Sequence, residues 1–96
     1  MGINDLLKEK REDILQIASR HGAHNVRLFG SVARGQAGPE SDVDFLVRLE
    51  PGTTLLRHAA LVRELKNLLG REVQVVSERA LRKRIKDRVM REAVPL

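Results

Sequence analysis

Two aspartates, Asp42 and Asp44, stand two residues apart in the stretch "LFGSVARGQAGPESDVDFLV" that runs from Leu28 to Val47. Side chains at that spacing on a strand project from one face, with Cα atoms about 6.5–7 Å apart. Two carboxylate charges so placed repel by about 2 kcal/mol at an effective dielectric near 20. A divalent cation between them reverses the sign, and Mg²⁺ characteristically takes one or two carboxylates together with phosphate oxygens. Upstream, Gly30-Ser31 follows an apolar run and opens a turn. Free backbone N–H groups at such a turn hold an anion, the glycine lets a phosphate approach, and the serine hydroxyl adds a donor. A phosphate cradle followed by a metal-holding acid pair is suited to metal-assisted phosphoryl or nucleotidyl transfer.

Each half is weak alone. A Gly-Ser turn is commonly only a turn, and an Asp-x-Asp is commonly a solvated strand end. Two better-known phosphate-binding patterns do not occur in the sequence. No Lys-Ser or Lys-Thr follows a second glycine at P-loop spacing, and there is no Gly-x-Gly-x-x-Gly.

Periodicity gives the elements that must position these groups. A helix is expected from about Asn4 to Arg20, capped by Asn4 or Asp5 and stopped by Gly22, with Leu6, Leu7, Ile14, Ile17 and Ala18 at helical spacing. The period changes to two from Asn25 to Phe29, which predicts a strand with Val26 and Leu28 opposite Arg27 and Phe29. "SVAR" is long enough for one helical turn, and Gln36 to Ser41, with Gly38 and Pro39, reads as a loop. Asp42 to Arg48 is the second strand, with Val43, Phe45 and Val47 on one face and Asp42, Asp44 and Leu46 on the other. Thr53 or Thr54 caps a helix carrying Leu55, Ala59, Val62, Leu65 and Leu69, which Gly70 ends. Glu72 to Ser77 is the third strand, and Ser77 caps a last helix bearing Leu81, Ile85 and Val89. The expected fold is α+β: a small mixed sheet with helices packed on one face.

At 96 residues the chain is expected to form one domain spanning 1–96, with no room for a second core. Apolar residues make up 42%, which suits a folded globule, and aromatics are nearly absent, so the core is aliphatic. Eighteen Lys and Arg against 13 Asp and Glu give +5, which favours an anionic partner. With no cysteine, disulfides and thiolate metal sites are excluded and a reducing cytoplasm is compatible. No signal peptide or membrane span is visible, so the cytoplasm is the expected location.

"GSVARGQAGPESDVD" resembles the signature of the DNA polymerase beta-like nucleotidyltransferase superfamily. More narrowly, it is similar to the minimal nucleotidyltransferases that accompany HEPN-domain proteins in prokaryotes. The resemblance runs along nearly the whole chain, from the N-terminal helix through Gly30-Ser31, Ala33-Arg34-Gly35 and Ser41-Asp42-x-Asp44 to the ending "REAVPL". It implies the nucleotidyltransferase fold, with Asp42 and Asp44 as the catalytic pair that engages Mg²⁺ and Gly30 and Ser31 as the triphosphate-binding turn. It places Arg34 and Ser41 at supporting phosphate contacts, although Arg34 could instead pair with Glu40 and Ser41 could cap the start of the strand. It further implies transfer of AMP from ATP to a hydroxyl on a HEPN-domain toxin, so that this chain acts as the antitoxin.

One position departs from the pattern. The superfamily supplies a third carboxylate from the next core strand, and the matching catalytic position in "REVQVVSE" is Gln74. Its amide keeps a carbonyl oxygen but cannot accept a proton at neutral pH. Losing a general base typically costs about 10²–10⁴ in rate. The other reading is therefore a catalytically weak binding module that neutralises the same partner by contact. His21, His24 and His58 show no ligand spacing and read as surface residues. The last helix is dense in Arg and Lys, yet no aromatic platform accompanies it, so nucleic acid is not favoured as a partner. A homo- or hetero-oligomer is compatible with the sequence.

Overall fold

The structure is a computed structural model that describes residues 2–38 and 41–96. The N-terminal segment forms two helices, α1 (Ile3–Glu9) and α2 (Arg11–Arg20), where one was expected. The backbone ladder carries across the break at Lys10, whose N–H donates to Leu6 O at 3.0 Å and whose carbonyl accepts from Ile14 N–H at 2.9 Å. Both helices reach one core, α1 through Ile3 and Leu7 and α2 through Ile14, Ile17 and Ala18. Gly2, without a side-chain hydrogen bond, occupies the N-cap in place of Asn4 or Asp5. Gly22 closes α2 in the left-handed region at φ +73°.

The chain continues as β1 (Ala23–Phe29), the short helix α3 (Gly30–Ala33), β2 (Val43–Leu49), α4 (Leu55–Leu69) and β3 (Val73–Ser77). Thr54 caps α4 by accepting from Arg57 N–H at 3.1 Å. The buried stripe of α4 is Leu61, Leu65 and Leu69. Leu55, counted in that stripe from the sequence, is 86% exposed, because the stripe begins only in the second turn. Ser77 caps a 3₁₀ turn (Glu78–Ala80), not the last helix, by accepting from Arg79 N–H at 3.3 Å. The last helix, α5 (Lys83–Glu92), starts after Arg82 and is followed by β4 (Val94–Pro95). A two-residue strand containing a proline gives no period-two signal, so β4 escaped the sequence reading.

The sheet is mixed, in the order β3-β2-β1-β4. β1 runs antiparallel to β2 and to β4, and β2 runs parallel to β3, with α4 as the crossover. Val43, Phe45 and Val47 of β2, with Leu28, Val73 and Val75, bury one face against α1, α2 and α4. Each fully buried side chain of this size contributes about 1.5–3 kcal/mol.

The opposite face carries Arg27, Asp44, Leu46 and Gln74, and its centre is also covered. Leu46 is fully buried there and Arg27 is 8% exposed. Arg27 donates to Glu78 Oε1 at 2.6 Å and to Met90 Sδ at 3.2 Å, which ties the 3₁₀ turn and α5 to that face. A bulge in β1 sets this arrangement. His24 pairs with Arg48 and Arg27 with Leu46, so β1 holds one extra residue, and Asn25 takes φ 52° to absorb it. The cover stops short of Asp44 and Gln74.

Candidate active site

β1 and β2 bring the glycine turn and the aspartates together, because Phe29 pairs with Asp44 across their antiparallel ladder. Gly30 follows directly at φ +73°, a conformation L side chains rarely adopt. A Cβ there would run into Asp44 Oδ2 and lie 3.3 Å from its Cγ. Backbone conformation and space therefore both demand glycine. α3 begins at this residue, and the first N–H groups of a helix have no intrahelical partner. Ser31, half-buried, sits in that first turn.

Asp44 is half-buried, and Asp42 is exposed just ahead of β2. Burial pushes the Asp44 carboxyl above the usual carboxylate range, the Asp42 charge adds to the rise, and the Arg34 charge opposes it. Gly30, Arg34 and Asp42 thus all act on Asp44. Asp44 also pairs with Gln74 in the parallel β2–β3 ladder, where neighbouring strands lie about 4.8 Å apart. Paired residues share a face of the sheet, and Gln74 is exposed beside Asp44. Among the described residues no three His, Cys, Asp or Glu side chains gather into a metal-binding cluster. The side chain that β3 places beside Asp44, Gln74, is an amide.

Two carboxylates suit Mg²⁺, which needs only one or two from the protein when phosphates complete its shell. A bound cation would relieve the repulsion that Asp42 exerts on Asp44. The residues able to hold it are Asp42 and Asp44.

The supporting residues divide. Arg34 donates to Gln36 Oε1 at 3.1 Å, and its Nη1 lies 3.7 Å from Glu92 Oε2 on α5. Its alternative partner Glu40 lies outside the described residues, as does Pro39 of the expected loop. Ser41 accepts from the Gly38 N–H at 2.7 Å, so its hydroxyl closes the loop ahead of β2. Glu92 was not among the residues singled out in the sequence. It lies far down the chain, and no local pattern ties it to Arg34. The histidines are engaged elsewhere, His21 with Glu64, His24 with Glu50 at 2.7 Å and His58 with the Val75 carbonyl at 2.8 Å.

Residues 7–96 match the family model described as Nucleotidyltransferase domain. The protein adenylyltransferase MntA of Thermococcus cleftensis is 37% identical over 94 residues, which cover 93% of this chain and 95% of that one. A solved structure provisionally assigned as a minimal nucleotidyltransferase is 52% identical, superposes with a TM-score of 0.87, and covers 96% of this chain and 94% of its own. A toxin–antitoxin crystal structure with AMP-PNP aligns with a TM-score of 0.76 over 88% of this chain and 69% of that one. At 20% identity, that last likeness speaks for the fold alone.

Proposed function

This chain belongs to the nucleotidyltransferase domain family, and we propose that it transfers AMP from ATP to a hydroxyl of a HEPN-domain toxin, acting as a cytoplasmic antitoxin built from the single domain 1–96. The observation that carries the reading is the close approach of Gly30 to Asp44. It sets a backbone turn open to phosphate against a carboxylate suited to a metal. The name of the Thermococcus relative supports an adenylyl donor and a protein acceptor.

In this reading Asp42 and Asp44 hold Mg²⁺, which when bound offsets the negative charge of the triphosphate and polarises the phosphorus to be attacked. The Gly30–Ser31 turn takes the phosphates through backbone N–H groups and the Ser31 hydroxyl, since glycine leaves the approach clear. Arg34, already within electrostatic reach of Asp44, adds positive charge where the leaving pyrophosphate gains negative charge. Ser41 acts through the loop it closes. The acceptor oxygen forms a bond to the α-phosphorus as the bond to pyrophosphate breaks. Gln74 takes no proton, and its exposure lets water carry the acceptor proton away.

The exposed amide of Gln74 beside Asp44 favours a second reading, a module that masks the partner by contact with little transfer. One experiment separates the two. The chain is incubated with Mg²⁺, the partner toxin and ATP labelled on its α-phosphate. Transfer that disappears in Asp42→Asn/Asp44→Asn supports the enzyme. Neutralisation of the toxin by the same double variant, with no label transferred by either protein, supports the masking module.

A further inference from the structure

A sizeable cavity lies away from the aspartates. It is a cleft of about 500 Å³ at the other end of β2, lined by His24, Arg48, Glu50, Glu78, Arg79 and Lys86 among others. Arg48 shares the strand parity of Asp44, so the cleft opens on the same face of the sheet, about 13 Å further along the strand. Leu46, fully buried, separates the two.

The charges of this cleft are unevenly used. Glu78 is paired with the buried Arg27 at 2.6 Å, and Glu50 is hydrogen-bonded by His24 at 2.7 Å. Among the described residues Arg48, Arg79 and Lys86 form no ion pair. They come from three different elements, β2, the 3₁₀ turn and α5. Among the described residues the cleft therefore presents three cations outside ion-pair distance of any carboxylate, while both of its carboxylates are hydrogen-bonded to other partners. Arg48 lies near enough for its charge to act on Glu50.

We propose that this cleft binds an acidic peptide segment of a protein partner. Charge complementarity selects an anion, and the spread of the cations over three elements suits several carboxylates along a chain better than one compact phosphate. No lining residue is Phe, Tyr or Trp, and the one imidazole, His24, is hydrogen-bonded to Glu50, so bases have no free platform to stack on. The cleft is separate from the aspartate pair, and its occupancy does not depend on nucleotide transfer.

The test is fluorescence anisotropy at physiological salt with a fluorescein-labelled oligoglutamate peptide. Arg48→Ala/Arg79→Ala/Lys86→Ala removes the three cleft cations, all exposed, and should keep the melting temperature. Arg63→Ala/Lys83→Ala/Arg84→Ala removes the same net charge from exposed positions that do not line the cleft. The expected result is peptide binding that weakens at least about tenfold in the cleft variant and changes less than about twofold in the control. Equal losses in both variants would reduce the effect to net charge and overturn the proposal. So would tighter binding of a single-stranded oligonucleotide at the cleft, or no peptide binding at all. Arg79→Ala/Lys86→Ala repeats the comparison if the triple variant melts early. Label transfer from ATP, measured separately, reports on the aspartate site and leaves the peptide result unaffected.

Discussion

The space that a Cβ on Gly30 would need is filled by the Asp44 carboxylate. The turn that leads out of β1 and the acid that leads into β2 are thus one structural unit, joined by the Phe29–Asp44 pairing. A substitution at either residue is felt by the other.

Gly30→Ala should therefore cost stability and displace Asp44 together. The left-handed conformation alone costs an L residue about 1–2 kcal/mol, and the collision adds to it. Asp44→Ala clears the space, so the double variant should be less destabilised than the two single changes combined. A coupling of about 0.5–3 kcal/mol is the range for residues in contact. Urea denaturation of the four proteins measures it, and strict additivity would show that Gly30 does not abut Asp44.

Asp44 also predicts how stability depends on pH. Its carboxyl lies above the ordinary range chiefly through burial, then through Asp42. The folded protein consequently holds this proton more tightly than the unfolded chain. The stabilisation is complete below the ordinary carboxylate range and is lost as pH rises through the raised value. At neutral pH, without metal, Asp44→Asn should raise the melting temperature by only about a few degrees, because the group is half-buried and partly screened by water. Excess Mg²⁺ should stabilise the parent protein more than the variant. Melting curves across pH, with and without Mg²⁺, check both expectations.

Much of this geometry was legible in the sequence, and the rest was hidden for identifiable reasons. The Val43, Phe45 and Val47 face announced itself by strict alternation, as did the helix that Thr54 and Gly70 bracket. Residues two apart on a strand and residues flanking a glycine carry their spatial relation in their spacing, which is why the pattern around Gly30, Asp42 and Asp44 could be read locally. The link from Arg34 to Glu92 could not, because it joins a short turn to a distant helix. Arg27 was equally opaque. Its burial depends on a bulge at Asn25 and on Glu78 and Met90 arriving from later elements.

The Arg27–Glu78 pair should respond asymmetrically to mutation. Arg27 is nearly buried, whereas the Glu78 side chain is 20% exposed. Glu78→Ala strands a guanidinium inside the protein, and removing one partner of a buried pair costs about 3–5 kcal/mol, with the lower end expected here. Arg27→Met keeps the apolar stem and leaves a carboxylate that can turn to water, so it should cost less. Chemical denaturation of both variants decides the order, and a larger loss for Arg27→Met would mean that the pair is more open than its geometry indicates.

Gln74 gives the sharpest test of the site, because it lies beside Asp44 in the parallel ladder and is exposed on the same face. Gln74→Asp puts a third carboxylate beside Asp44 on the same face of the sheet. If the acceptor proton is then taken by that group, transfer should rise by up to about 10²–10⁴. Three clustered anions repel, so the metal-free variant should melt lower than the parent, and Mg²⁺ should restore more than it does for the parent. Gln74→Glu is longer by a methylene and should recover less activity while showing the same loss of metal-free stability. The measurements are label transfer from ATP to the partner toxin, beside melting curves with and without Mg²⁺. Higher transfer with lower metal-free stability assigns Gln74 to the site. No change in either would place it outside the reach of Asp44, and a stability change without any gain in transfer would point to a domain that holds nucleotide and partner but has left catalysis behind.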